Sequence, residues 1–124
     1  MNVNEVTPSI LAYIGDAVYE QKVREYLVLN FKIQVNELQS LAKRYVSAKN
    51  QAIILDKLLS KNILTDDELY TIGRAKNYKP KSKPRYVSIV TYKKATALEA
   101  LFGMLFMQNK KERIDDIFNI IIGD

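Results

Sequence analysis

The sequence predicts an all-α domain of about six helices. Three observations carry that expectation. Apolar residues recur at three- and four-residue spacing along nearly the whole chain, and no alternation is long enough for a sheet. Ser, Thr and Asn residues stand where most of the helical patterns open. At 124 residues the chain is one domain in length and able to bury a single core, so residues 1–124 are read as one unit.

Taken in order, Thr7 is placed to cap the first helix, with Pro8 at the first helical position, where a missing N–H does no harm. That helix is expected to carry Ile10, Ile14, Ala17 and Val18 inward and to run to about Val28. Asn36, with Gln39 three residues on, opens a second pattern of Leu38, Leu41, Ala42 and Tyr45. A third, Ala48, Ala52, Leu55 and Leu59, starts near Ser47. Thr65-Asp66-Asp67-Glu68 is a capping box opening a short helix through about Ala75, and its acids suit the positive end of the helix dipole. Lys76 to Ser88 contains Pro80 and Pro84 and no sustained period, which predicts a loop. Thr91 is expected to cap a long helix with Ala95, Leu98, Leu101, Phe102, Leu105 and Phe106 inward. Asn109, with Glu112 three residues later, caps a last helix bearing Ile114, Ile117, Phe118 and Ile121.

Composition narrows the chemistry. The chain has no Cys and no His. Disulfides, thiolate zinc sites, cysteine nucleophiles, imidazole ligands and serine–histidine catalysis are therefore excluded. Hydrolytic chemistry would have to use carboxylates, Lys, Tyr, hydroxyls or a hard metal ion held by oxygen. No apolar run reaches membrane-spanning length and the first residues lack a basic leader region, so a cytoplasmic protein is expected.

The net charge of +5 is unevenly spread. Leu69 to Leu98 contains no acid but has Arg74, Lys76, Lys79, Lys81, Lys83, Arg85, Lys93 and Lys94, which leaves the rest of the chain at −3. A solvated loop explains part of that clustering; a polyanion partner explains eight bases without an acid better. Tyr78 and Tyr86 in the same region are candidates to contact such a partner, whereas Tyr13, Tyr19, Tyr26 and Tyr45 fall beside apolar residues at helical spacing.

Two carboxylates stand alone. No other charge lies between Glu5 and Asp16, and Glu99 is the only charge between Lys94 and Lys110. Neither has a Lys or Arg one turn away, so each calls for a cation from elsewhere, a distant side chain or a metal ion. Gly15 directly precedes Asp16, and Gly103 lies one turn after Glu99. Glycines inside helices mark either a close helix crossing alone or a crossing that also brings the two acids together. Glu20 is one turn beyond Asp16, but Arg24 four residues further on makes an ordinary surface pair the better expectation.

These residues resemble a known family. Leu11–Glu20, LAYIGDAVYE, resembles the signature segment of the ribonuclease III catalytic domain, and Thr96–Gly103, TALEALFG, is similar to its second acidic motif. Val46–Gln51 (VSAKNQ), Gly73-Arg74 and Thr91-Tyr92 are similar to the compact branch, mini-ribonuclease III. The resemblance implies an all-α endoribonuclease domain that dimerises and cleaves double-stranded RNA with magnesium, Asp16 and Glu99 being catalytic residues and metal ligands. It also implies a role in maturing the large-subunit ribosomal RNA precursor, without the double-stranded-RNA-binding domain that larger relatives append. Those larger enzymes carry further acids where this chain has Ser9, Ala12 and Thr96. The expected RNA contacts are Lys49, Arg74, Lys76, Lys79, Lys81, Lys83 and Arg85, and the expected dimer surface draws on Tyr13, Tyr19 and the Phe102–Phe106 region. The alternative function is a non-catalytic helical RNA-binding or ribosome-assembly protein; it needs the basic loop but not the two acids.

Overall fold

Pro8 sets the start of the longest helix. In the computed structural model, which describes residues 2–123, α1 spans Pro8–Asn30 after a single 3-10 turn at Val3–Glu5. The following helices are α2 (Val35–Val46), α3 (Ala48–Ser60), α4 (Asp66–Asn77), α5 (Ile89–Met107) and α6 (Lys111–Gly123). No strand occurs among the described residues, as the spacing predicts. Met1 and Asp124, the ends of the single-unit reading, lie outside them.

The architecture is organised around α5. Ala95, Ala97, Leu98 and every residue from Ala100 to Leu105 are buried, so the later part of this helix is apolar around nearly its whole circumference and must be surrounded. Helices α1, α3, α4 and α6 pack on it, and α2 closes the outside against α1 and α3. Tyr19 links the layers. It is fully buried, meets Phe102 and Phe118 edge-on at 5.1 and 6.2 Å, and donates its hydroxyl to the Tyr45 carbonyl at 2.8 Å.

The inward face of α1 differs from the expected one. Leu11, Ala12, Gly15, Tyr19, Val23 and Leu27 are buried, while Ile10 and Ala17 are exposed and Ile14 and Val18 are only partly covered. This stretch is apolar around most of its circumference, so two overlapping stripes satisfy the helical period. Gly15 decides between them, because only a residue without a Cβ admits α5 so closely.

Capping follows the sequence in part. Thr65 and Glu68 form the reciprocal capping box, and Ser47 caps α3 by accepting from the Asn50 N–H at 3.2 Å. Thr7 precedes Pro8 as expected but makes no side-chain capping bond. Gln34, not Asn36, precedes α2. On α3 it is Leu58, not Leu59, that is fully buried. Helix α5 begins earlier than expected, with Ser88 rather than Thr91 as its cap, its hydroxyl accepting from the Thr91 N–H at 3.1 Å. Asn109 closes α5 instead of opening α6. It takes φ 59°, with Asn109 N–H bonded to the Phe106 carbonyl and Lys110 N–H to the Leu105 carbonyl, the pattern of a Schellman ending. Phe106 at that end is 42% exposed rather than inward.

Glu68 does more than cap. Its nearly buried carboxylate receives Arg113 Nε at 2.8 Å and Nη2 at 2.9 Å, and the same guanidinium donates to the Ile63 carbonyl at 2.9 Å. This fork ties the start of α4 to α6. Burial works against the Glu68 charge, but Arg113 and the Thr65 N–H outweigh it and hold the carboxyl below its ordinary range.

Candidate active site at the crossing of α1 and α5

The crossing of α1 and α5 is made by bare backbone. A Cβ on Gly15 would stand 2.6 Å from the Glu99 carbonyl carbon and 2.7 Å from the Gly103 nitrogen. One on Gly103 would run into the Leu11 carbonyl, with the Ile14 side chain 3.1 Å away. The next residue along α1 is Asp16, and the α5 residue at the contact is Glu99. The glycines therefore do both things open to them: they let the helices cross and they bring the two isolated acids together.

Asp16 is exposed and Glu99 partly buried. Their carboxyls are close enough to share a hydrogen bond, and the Glu99 carboxyl is pushed up to about 8. Burial is the main cause, followed by the charge of Asp16 and its hydrogen bond, with a smaller push from Glu20. The Gln51 side chain opposes the shift through a hydrogen bond to Glu99. Glu20 pairs with Arg24 at 3.1 Å, as its spacing predicts. Burial above all, then Tyr45 and Glu99, holds the Tyr19 phenol well above its ordinary range, so it stays a neutral donor.

No Lys or Arg forms an ion pair with Asp16 or Glu99 among the described residues. Of the two cations the sequence allowed, a distant side chain is thus not supplied. No cluster of three or more metal-binding side chains occurs among the described residues either. Two facing carboxylates are nevertheless the donor set that suits magnesium, which takes one or two protein carboxylates and fills its octahedron with water and phosphate oxygens. The residues present fit that ion.

The neighbouring positions are uncharged. Thr96, one turn before Glu99, donates its hydroxyl to the Tyr92 carbonyl at 2.9 Å. Ser9 and Thr96 border an open groove of about 350 Å³ shared with Tyr78, Lys81, Tyr92 and Lys93. The basic loop thus borders α5 up to Thr96, one turn before Glu99. Lys79, Lys81, Lys83 and Arg85 are exposed, Lys76 is partly buried, and Lys49 is exposed in the first turn of α3. Arg74 stands apart from them: its Nη2 donates to the Val6 carbonyl at 2.7 Å and its Nη1 is buried without a partner, so it fastens the N-terminal turn instead of facing solvent. Tyr86 is 91% exposed on the loop. Of the aromatic residues expected at a dimer surface, Tyr13 is 84% exposed, whereas Tyr19 and Phe102 belong to the core. Gln51 had no role assigned from sequence; the available signal was a polar residue in the apolar stripe of α3 beside Ala52, Leu55 and Leu58.

An all-helical domain with two acids at a glycine-lined crossing and a base-rich loop beside them has the features of a ribonuclease catalytic domain. The family model of the Ribonuclease III domain matches residues 9–110, a span that includes both acids. A Mini-ribonuclease 3 of Staphylococcus aureus is 39% identical over 98% of this chain and 90% of its own length. One from Brevibacillus brevis is 39% identical over 98% and 92%. A crystal structure of a Fusobacterium nucleatum protein superposes with a TM-score of 0.87 at 34% identity, covering 100% of this chain and 99% of that one. The chain belongs to the ribonuclease III family, in its mini-ribonuclease III branch.

Proposed function

We propose that this protein is a magnesium-dependent endoribonuclease that cuts double-stranded or structured RNA in the cytoplasm as a homodimer, acting on the precursor of large-subunit ribosomal RNA. The observation that carries the reading is the meeting of Asp16 and Glu99 from two helices with no ion pair to either among the described residues. Relatives named Mini-ribonuclease 3 support it.

Asp16 and Glu99 would hold the ion. When bound, magnesium supplies acidification of water and neutralisation of charge on the phosphate. Glu99 must first release its proton, which Asp16 and burial both resist and a divalent cation favours. Lys49, Lys76, Lys79, Lys81, Lys83 and Arg85 draw in the backbone, so binding is shape-driven and salt-sensitive. Cutting both strands of a duplex calls for two such sites. A two-fold dimer provides them, and Ile10, Tyr13 and Ala17 form an exposed apolar stripe on α1 suited to an isologous interface. No helix among the described residues is long and apolar enough to cross a membrane.

The test is incubation of purified protein with structured RNA, with magnesium or with chelator. Cleavage by the wild type only with magnesium, and none by Asp16→Asn despite retained RNA binding, is the expected result. Wild-type-like cleavage by Asp16→Asn overturns the site. RNA binding with no cleavage under either condition favours the non-catalytic alternative.

A further inference from the structure

We infer that the groove between α1, the basic loop and α5 is a subsite for one phosphate of the RNA backbone, held from two sides by Lys93 of α5 and Lys81 of the loop. The inference rests on the reading of the protein as one that binds RNA, and it adds Lys93 to the contacts.

Lys93 and Lys94 are neighbours on α5 with different surroundings. Lys94 Nζ meets Asp56 of α3 at 3.0 Å. Lys93 is partly covered, yet among the described residues it pairs with no carboxylate, and neither does Lys81, which lines the same groove. The groove is open, holds about 350 Å³, and has no Asp or Glu in its lining. Tyr78, Ser82 and Tyr92 add hydroxyls that have no hydrogen-bond partner among the described residues. Covering part of a Lys costs solvation, and two ammonium groups that share one concavity repel each other. An anion between them relieves both.

Phosphate suits this lining, because it offers negative charge to the lysines and several acceptor oxygens to the hydroxyls. Lys93, Thr96 and Glu99 follow one another at three-residue intervals along α5, a row of adjacent positions on a helix surface. The groove therefore lies on the approach to the two acids, with Lys93 about 9 Å from Glu99 along the helix axis. Neither Asp16 nor Glu99 lines it, so the phosphate it takes is a neighbour of the one being cut. Lys93 also has a firm base: Ala95, Ala97 and Leu98, just after it on α5, are buried.

The test measures binding of an RNA duplex in chelator across a salt series, with melting of each protein alongside. The full chain is compared with Lys93→Met, Lys93→Gln, Lys93→Arg, Lys81→Met, the double variant Lys81→Met with Lys93→Met, and Lys111→Met. The last removes an exposed charge of α6 outside the groove. Lys93→Met and Lys93→Gln should each weaken binding about tenfold, as the loss of one charge-assisted hydrogen bond predicts. Each should also flatten the log–log salt slope by about one. Lys93→Arg should stay near wild type, and Lys111→Met should change the slope by less than about half as much. Because both lysines hold the same phosphate, Lys81→Met and the double variant should also flatten the slope by about one. A change of about two in the double variant gives the lysines separate phosphates and overturns the shared subsite. Lys93 variants that bind as the wild type does, or that lose no more than Lys111→Met, overturn it while the RNA reading stands. Loss of fold in both Lys93→Met and Lys93→Gln assigns the residue to packing and overturns it as well. If the wild type binds no duplex, the RNA reading itself fails, and this inference with it.

Discussion

Replacing Gly15 by Ala tests the crossing that builds the site. In an ordinary helix this change stabilises by about 1 kcal/mol, because Ala loses less backbone freedom than Gly. Here the added methyl would lie 2.6 Å from the Glu99 carbonyl carbon and closer still to its oxygen, where ordinary contact begins at 3.4 Å. The obstacle is helix backbone, so no rotamer change relieves it. The helices must part by on the order of 1 Å, and overpacking of this kind costs about 1–3 kcal/mol. With the upper end of that range offset by the gain in helix propensity, a net loss of about 2 kcal/mol is expected. That lowers the melting temperature by roughly 6–12 °C. Glu99 would move relative to Asp16 by a comparable distance, and a displacement of about 1 Å in a catalytic constellation costs on the order of 100-fold in rate. Gly73→Ala in α4 is the control, since its Cβ would meet nothing within 4 Å; it should raise stability by about 0.5–1 kcal/mol. Thermal melting of the two variants therefore gives opposite signs. A Gly15→Ala protein that melts at or above the wild type refutes the close crossing.

Arg113→Met strands the buried Glu68 carboxylate and the Ile63 carbonyl, and should cost about 3 kcal/mol in urea unfolding; a loss below about 1 kcal/mol would place this fork among weak surface pairs. Glu99, raised to about 8, favours the metal-free fold most fully below its unfolded value of 4.5, and that contribution is lost as pH rises from 4.5 through 8. Asp16→Asn removes much of the repulsion, so in chelator it should gain stability relative to wild type as pH rises through that window; a difference that does not grow with pH would contradict the pairing. Replacing Lys79, Lys81 and Lys83 together by Ala should weaken RNA binding and flatten its salt dependence by up to about two to three in the log–log slope. Single-turnover cleavage at saturating RNA should stay near wild type, and a fall as deep as that of Asp16→Asn would give the loop a catalytic part.

Much of this protein is legible along the chain because its signals are local. The capping box at Thr65–Glu68, the cap at Ser47, the proline at the head of α1 and the proline-broken basic loop each depend on neighbours within a few residues. The isolation of Asp16 and Glu99 is likewise readable, since it concerns the residues one turn away on their own helices. Periodicity faltered where a helix is apolar on most sides: α1 offers two stripes, and packing against α5 through Gly15 chose the one that buries Leu11, Tyr19 and Val23 and leaves Ile10 outside. Asn109 ends a helix where the sequence predicts a start, because the same residue type that caps a helix start also tolerates the left-handed turn that ends one.

Helix content, element order and the two acids follow from the sequence by itself, because helix formation and charge isolation are set within about one turn of chain. What those elements meet is fixed by packing. Glu68 and Arg113 lie 45 residues apart and Arg74 and Val6 lie 68 apart, and neither pair carries a local mark of its partner. A side chain's partner across helices depends on the rotation and separation at which those helices pack; at the crossing of α1 and α5, bare backbone at Gly15 and Gly103 sets both.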